Sequence, residues 1–113
     1  MNANPGISFD DFQKIDLRVG TIIEVKDFPK AQKPAYRLKI DFGTLGIRKS
    51  SAQITAIYSK EDLLHKQVIA VVNFPPKQIA DFMSECLVLG IQKGKEVVLL
   101  QVNSPVKNGQ KIT

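Results

Sequence analysis

The sequence predicts a mainly β protein: a five-to-six-stranded Greek-key barrel with a short N-terminal helix and a short helical insertion. Three observations carry that expectation. Apolar and polar residues alternate over several separate runs, the period of a strand with one buried face. Clusters of Gly, Pro and Asn punctuate those runs at short intervals. The chain has 113 residues, 43% of them hydrophobic, enough for one core. A single domain over residues 1–113 is expected, with residues 1–7 as a flexible arm.

The first element is SFDDF, where Ser8 can cap a short helix and Asp11 stands at its third position. That spacing makes a capping box with Asp in place of Glu, and Asp10 and Asp11 suit the positive helix end. Phe9 and Phe12 share one face of a helix too short to stand alone, so tertiary or partner contacts must bury them. From Ile15 the period becomes two. Ile15, Leu17, Val19, Thr21, Ile23 and Val25 are expected to face the core, with Gly20 as the place where a long strand bends. Tyr36, Leu38, Ile40 and Phe42 form the inner face of a second strand, the turn Gly43–Gly46 follows, and Ile47–Ser51 is the third. Ile54, Ile57 and Tyr58 are spaced for one helical face, Ser59 with Asp62 can cap a further turn, and His65 reads as a surface residue. Two later strands, Cys86–Ile91 and Val97–Val102, are joined by a Gly-Lys turn. The tail carries an Asn108-Gly109 turn before a last extended piece.

The most informative stretch is VIAVVNFPPKQIADFMSE, residues 68–85. It opens as a doubly apolar strand and stops at Asn73-Phe74-Pro75-Pro76, because two prolines donate nothing to a ladder. The loop that follows either tucks Phe74 into the core or presents it, with the prolines, as a stiff apolar rim. Val68–Val72, Cys86–Leu89 and Val97–Leu100 are apolar on both faces, whereas a barrel wall needs only its inside apolar. A second subunit is the expected cover, with Phe9, Phe12, Val71 and Val88 at the interface. A barrel of these strands, with a bending first strand and a helical insertion after the third, is of the OB type.

Charge and composition narrow the function. There are 16 basic and 11 acidic residues, a net charge of +5, but the lysines are spread along the chain. Lys26, Lys30 and Lys33 make a weak cluster, of which Lys30 and Lys33 are the candidates for RNA contact. Cys86 is the only cysteine, which excludes an intrachain disulfide and reads as a small buried hydrophobe. The N-terminal residues lack the pattern of a signal peptide, and no apolar run reaches bilayer length, so a cytoplasmic protein is expected. No metal-ligand cluster, phosphate loop or triad spacing supports an enzyme.

FQKIDLRVGTI, residues 12–22, resembles the opening signature of the tRNA-binding domain family related to the EMAP II cytokine domain. AQKPAYRLKIDFG, KSSAQIT, VVNFPPKQIADFMSECLVLG and VKNGQKI are similar to the export-related chaperone branch of that family. The resemblance runs from about residue 9 to residue 112. It implies an OB-fold homodimer without enzymatic activity or cofactor, which binds unfolded or precursor polypeptides and serves the export machinery. The positions that match the shared motifs are Arg18, Ser50, Ser51, Gln53, Asn73, Phe74, Pro75, Pro76, Ser84 and Glu85. Their chemistry suits an unfolded chain as ligand. Phe74 and the prolines give apolar walls, while Asn73, Gln53, Ser50 and Ser51 both donate and accept hydrogen bonds. Glu85 would favour basic peptides. Arg18 and Glu85 can equally pair with one another, or with Asp16, as structural ion pairs. The rival function is structure-selective tRNA binding, with Phe28, Phe74 and Phe82 as the available rim rings.

Overall fold

A bulge in the first strand sets the shape of the molecule. In the computed structural model, which describes residues 3–113, β1 (Leu17–Asp27) pairs with β2 (Tyr36–Asp41). The register steps from Ile22↔Ile40 to Glu24↔Lys39, so Ile23 is the extra residue. Beyond the bulge Val25 packs on the core, as expected. Before it the faces are reversed from the sequence expectation. Gly20 and Ile22 point inward, Ile22 is fully buried, and Ile23 is exposed. A Cβ on Gly20 would lie 2.7 Å from Ile40 and from the Phe42 ring. The glycine lets the first half of β1 approach the core closely, and the bulge turns the strand through the corner of the barrel.

The main sheet has the order β3-β2-β1-β4-β7 and forms a nearly closed five-strand barrel. Here β3 is Ile47–Ala52, β4 is Gln67–Val71 and β7 is Leu87–Val88. Tyr36, Leu38, Ile40 and Phe42 line its interior with Ile22, Val68 and Ala70, as the alternation predicts for the second strand. Leu63 fills the barrel from α2 (Lys60–Leu63), the expected insertion, whose Ser59–Asp62 capping box is complete. The first helix, α1 (Phe9–Gln13), also has its capping box, from Ser8 and Asp11. It buries none of its residues, so of the two expected covers for Phe9 and Phe12, contacts within the chain do not supply one. Phe9 and Phe12 pack on one another, with ring centroids 6.2 Å apart.

Two hairpins complete the fold. The hairpin β5 (Lys77–Ile79) and β6 (Phe82–Ser84) was not expected from sequence. Its turn places Ala80 at φ 53°, a left-handed conformation that Gly or Asn would normally signal. The second, β8 (Gly90–Lys93) with β9 (Glu96–Leu99), turns at the anticipated Gly94-Lys95. The tail then runs antiparallel to β1. Gly109 donates to the Val19 carbonyl, Gln110 accepts from the Val19 amide, and Ile112 donates to Leu17. Residues 3–7 carry no regular structure and are exposed; residues 1 and 2 of the expected arm lie outside the described residues. Among the described residues no helix is long and apolar enough to cross a membrane.

Candidate functional site

The double-serine strand and the Ser84–Cys86 segment form the seam that closes the barrel. Inward-facing Ser50 is 1% exposed, and its hydroxyl donates to the Cys86 carbonyl at 3.0 Å. The Ser51 amide donates to Ser84 Oγ at 3.1 Å. The Lys49 amide donates to Glu85 Oε1 at 2.9 Å, and the Glu85 amide returns a bond to the Lys49 carbonyl at 2.8 Å. Ser50, Ser84 and Glu85 are therefore spent on closure, the role an edge strand without a regular partner demands. Cys86 sits beneath them, and burial pushes its thiol up to about 11. The Ser51 hydroxyl and the exposed Gln53 amide have no hydrogen-bond partner among the described residues and are free to meet a ligand.

Arg18 and Asn73 also hold the scaffold. Arg18 Nε donates to Asp16 Oδ1 at 2.6 Å and Nη1 to the Gly109 carbonyl at 3.0 Å. Of the two ion-pair alternatives, Arg18 thus pairs with Asp16; Glu85 takes backbone donors instead. The Asn73 amide is used at both ends. Its Oδ1 accepts from the Asp16 amide at 3.0 Å, and its Nδ2 donates to the Lys14 carbonyl at 2.7 Å. This pair of bonds to the α1–β1 joint fixes the start of the proline loop. Phe74 stands 55% exposed beyond it, with Pro75 and Pro76 exposed beside it. The ring does not fold back into the core.

A second surface covers the outside of β1, β2 and β3. Register sets Lys26 opposite Arg37, and Arg37 opposite Ser51; the next row is Glu24, Lys39 and Lys49. In these two rows four cations therefore meet a single carboxylate, Glu24, which lies 3.5 Å from Lys39 Nζ and 3.8 Å from Lys26 Nζ. Phe82 walls a shallow groove there with Leu38, Lys26, Arg37 and Lys39, and Lys49 Nζ lies 5.2 Å over its ring. Sequence reasoning missed this convergence and chose Lys30 and Lys33. Lys30 instead bonds Asp81 at the tip of the β5–β6 hairpin at 2.8 Å, while Lys33 is exposed in its loop. Phe28, expected at the rim, is buried against the edge of Phe82, with centroids 5.5 Å apart. The missed signal was present in the strand alternation: Arg37 and Lys39 oppose the aromatic inner face, and the turn register adds Lys49.

On the opposite wall the outer face is apolar. Leu17, Val71 and Leu87 stand side by side across β1, β4 and β7, and Ile91 pairs with Val98 on the second hairpin. Leu87, Ile91 and Val98 are exposed, whereas Val71 is already buried within the chain. Val88, expected to face outward, lies opposite Ala70 and packs on the core. A one-residue change of phase puts Leu87 in the outward position.

The same fold is found in known proteins. A family model described as "Putative tRNA binding domain" matches residues 17–111. The methionine–tRNA ligase of Pyrococcus abyssi is 42% identical over 106 residues, which is 94% of this chain. The chain spans only 14% of that ligase's length. The crystal structure of chaperone CsaA from Bacillus anthracis str. Ames superposes with a TM-score of 0.91 at 52% identity, covering 96% of this chain and 100% of that one. The CsaA chaperone protein from Picrophilus torridus gives 0.90 at 56% identity with the same coverage. The Ser50-Ser51 seam, the Asn73-anchored proline loop and the tail strand all lie within the matched region. The chain belongs to the putative tRNA binding domain family, in the branch of the CsaA chaperones.

Proposed function

We propose that this protein is a non-enzymatic chaperone that binds unfolded or precursor polypeptides, acts in connection with protein export, and works as a cytoplasmic homodimer. The observation that carries the reading is Phe74, held 55% exposed on a loop whose base is pinned at both ends of the Asn73 amide. A large ring kept in water by a rigid loop is suited to an apolar ligand, because little ordering cost falls on the protein when the ligand docks. Pro75 and Pro76 extend that wall, and Gln53 and Ser51 supply hydrogen bonds that an unpaired peptide backbone can accept or return. The likeness to two CsaA chaperones supports the same reading. Self-association would cover Leu87, Ile91, Val98 and the Phe9–Phe12 pair. Two binding loops on one dimer would engage one extended chain with avidity.

A second reading has its own observation. Lys26, Arg37, Lys39 and Lys49 converge on one face beside Phe82, the arrangement a polyanion backbone requires. The family match supports tRNA as that polyanion. Fluorescence anisotropy with a labelled unfolded polypeptide and, separately, labelled tRNA, each at low and near-physiological salt, separates the two. Polypeptide binding that persists at the higher salt while RNA binding is lost supports the chaperone. RNA binding that persists with no polypeptide binding assigns the molecule to tRNA.

A further inference from the structure

An open cleft of ≈ 430 Å³, of mixed polar and apolar lining, lies between the α2–β4 junction and the Gln101–Pro105 segment and shares no residue with either surface. Its floor is fixed. Thr21 Oγ1 donates to Asn108 Oδ1 at 2.8 Å, and Gln67 Nε2 donates to the Val106 carbonyl at 2.7 Å while Gln67 Oε1 accepts from the Val106 amide at 3.1 Å. These bonds tie β1, β4 and the tail into one wall. At the rim His65 adopts φ 71°, a left-handed backbone held by its amide donating to the Ile22 carbonyl at 2.8 Å. Such a conformation is unfavourable in a non-glycine residue, and strain of this kind collects at functional sites.

We propose that this cleft binds a phosphate group. None of the residues lining it carries a carboxylate, so an anion entering meets no like charge. Among the described residues, the side chains of His65, Gln101, Asn103 and Ser104 make no hydrogen bond within the chain, and Lys66 has no ion-pair partner. Lys66 Nζ rests 5.6 Å over the Tyr58 ring, and its charge is shared with the nearby Asp62 carboxylate, which the Ser59 bonds and, to a lesser degree, this ammonium hold below the usual carboxylate range. One cation and several neutral donors in the same lining match a phosphate, which offers several acceptor oxygens to a single charge. A metal cation finds no hard anionic ligand here. The apolar side chains in the lining are Val102 and Pro105. The volume exceeds that of one phosphate and leaves room for a polar body such as a sugar.

The test is an amide-resolved NMR titration of the full chain at constant ionic strength with inorganic phosphate, adenosine 5′-monophosphate and adenosine. Saturable shifts confined to residues 65–67 and 101–104 are expected with both phosphates and not with adenosine. Lys66→Ala should weaken binding by about tenfold or more, the scale of one lost charge-assisted bond. His65→Asn tolerates the left-handed backbone and should weaken binding with the fold intact. Tighter binding of the monophosphate assigns the site to a phosphate monoester; equal affinity assigns it to free phosphate. Shifts only around Lys39 and Lys49, no saturable shift at millimolar phosphate, or unchanged binding in a folded Lys66→Ala protein would each overturn the proposal.

Discussion

Replacing Phe74 by Ala should weaken polypeptide binding much more than it weakens the fold. The ring is 55% exposed, so a little under half of its surface is already removed from water. Full burial of a Phe is worth about 1.5–3 kcal/mol, so the folded chain should lose about 1 kcal/mol. A ligand that covers the remaining half removes on the order of 100 Å² of apolar surface, about 2.5 kcal/mol at most. After the ordering cost of the ligand, about 1–2 kcal/mol remains, or roughly a 5- to 30-fold rise in Kd. Anisotropy with a labelled unfolded polypeptide measures that rise. Circular dichroism and size-exclusion chromatography check that barrel and assembly are unchanged. Wild-type affinity in a folded Phe74→Ala protein would refute the assignment of the loop as the binding wall. Loss of folding would show that the ring contributes to the core despite its exposure.

Three further outcomes follow from the geometry. Gly20→Ala should destabilise by about 1–3 kcal/mol through overpacking against Ile40 and Phe42; a thermal melt should fall by several degrees, and an unchanged melt would mean the first half of β1 has slack. Replacing Lys39 and Lys49 together by Ala should lower the log–log salt slope of tRNA binding by about 2, whereas Lys30→Ala, which removes the partner of Asp81, should change it little. The Cys86 thiol is raised by burial from 9.0 to about 11, so the unfolded chain loses its proton first as pH rises. Stability is unaffected by this group below pH 9 and should fall between pH 9 and about 11; urea melts across that range, compared with Cys86→Ala, isolate the contribution.

Local chemistry was legible in the sequence wherever it decides the structure locally. Both capping boxes, the Tyr36–Phe42 inner face and the Gly94 turn follow from residue spacing alone. The face of β1 did not, because a bulge at Ile23 is fixed by pairing with β2 and leaves no mark in an apolar run. The β5–β6 hairpin was hidden for a related reason: Ala80 adopts a left-handed turn that its side chain does not advertise. Gln53 could be picked out as a surface residue, whereas residue types alone left Phe74 open between core and rim; Ser50, Ser84 and Glu85 look equally polar and are consumed by the seam. The basic face was missed since its four cations come from three strands, and only the register between those strands brings them together.

The pairing of residues 109–112 with Leu17 and Val19 also bears on how the molecule comes into being. It joins segments separated by most of the chain, so it closes one of the longest loops in the fold and should form late. Until residue 112 has left the ribosome, one edge of the N-terminal half of β1 stays unpaired beside an apolar wall. During its own synthesis the chain thus carries a strand edge open to mispairing.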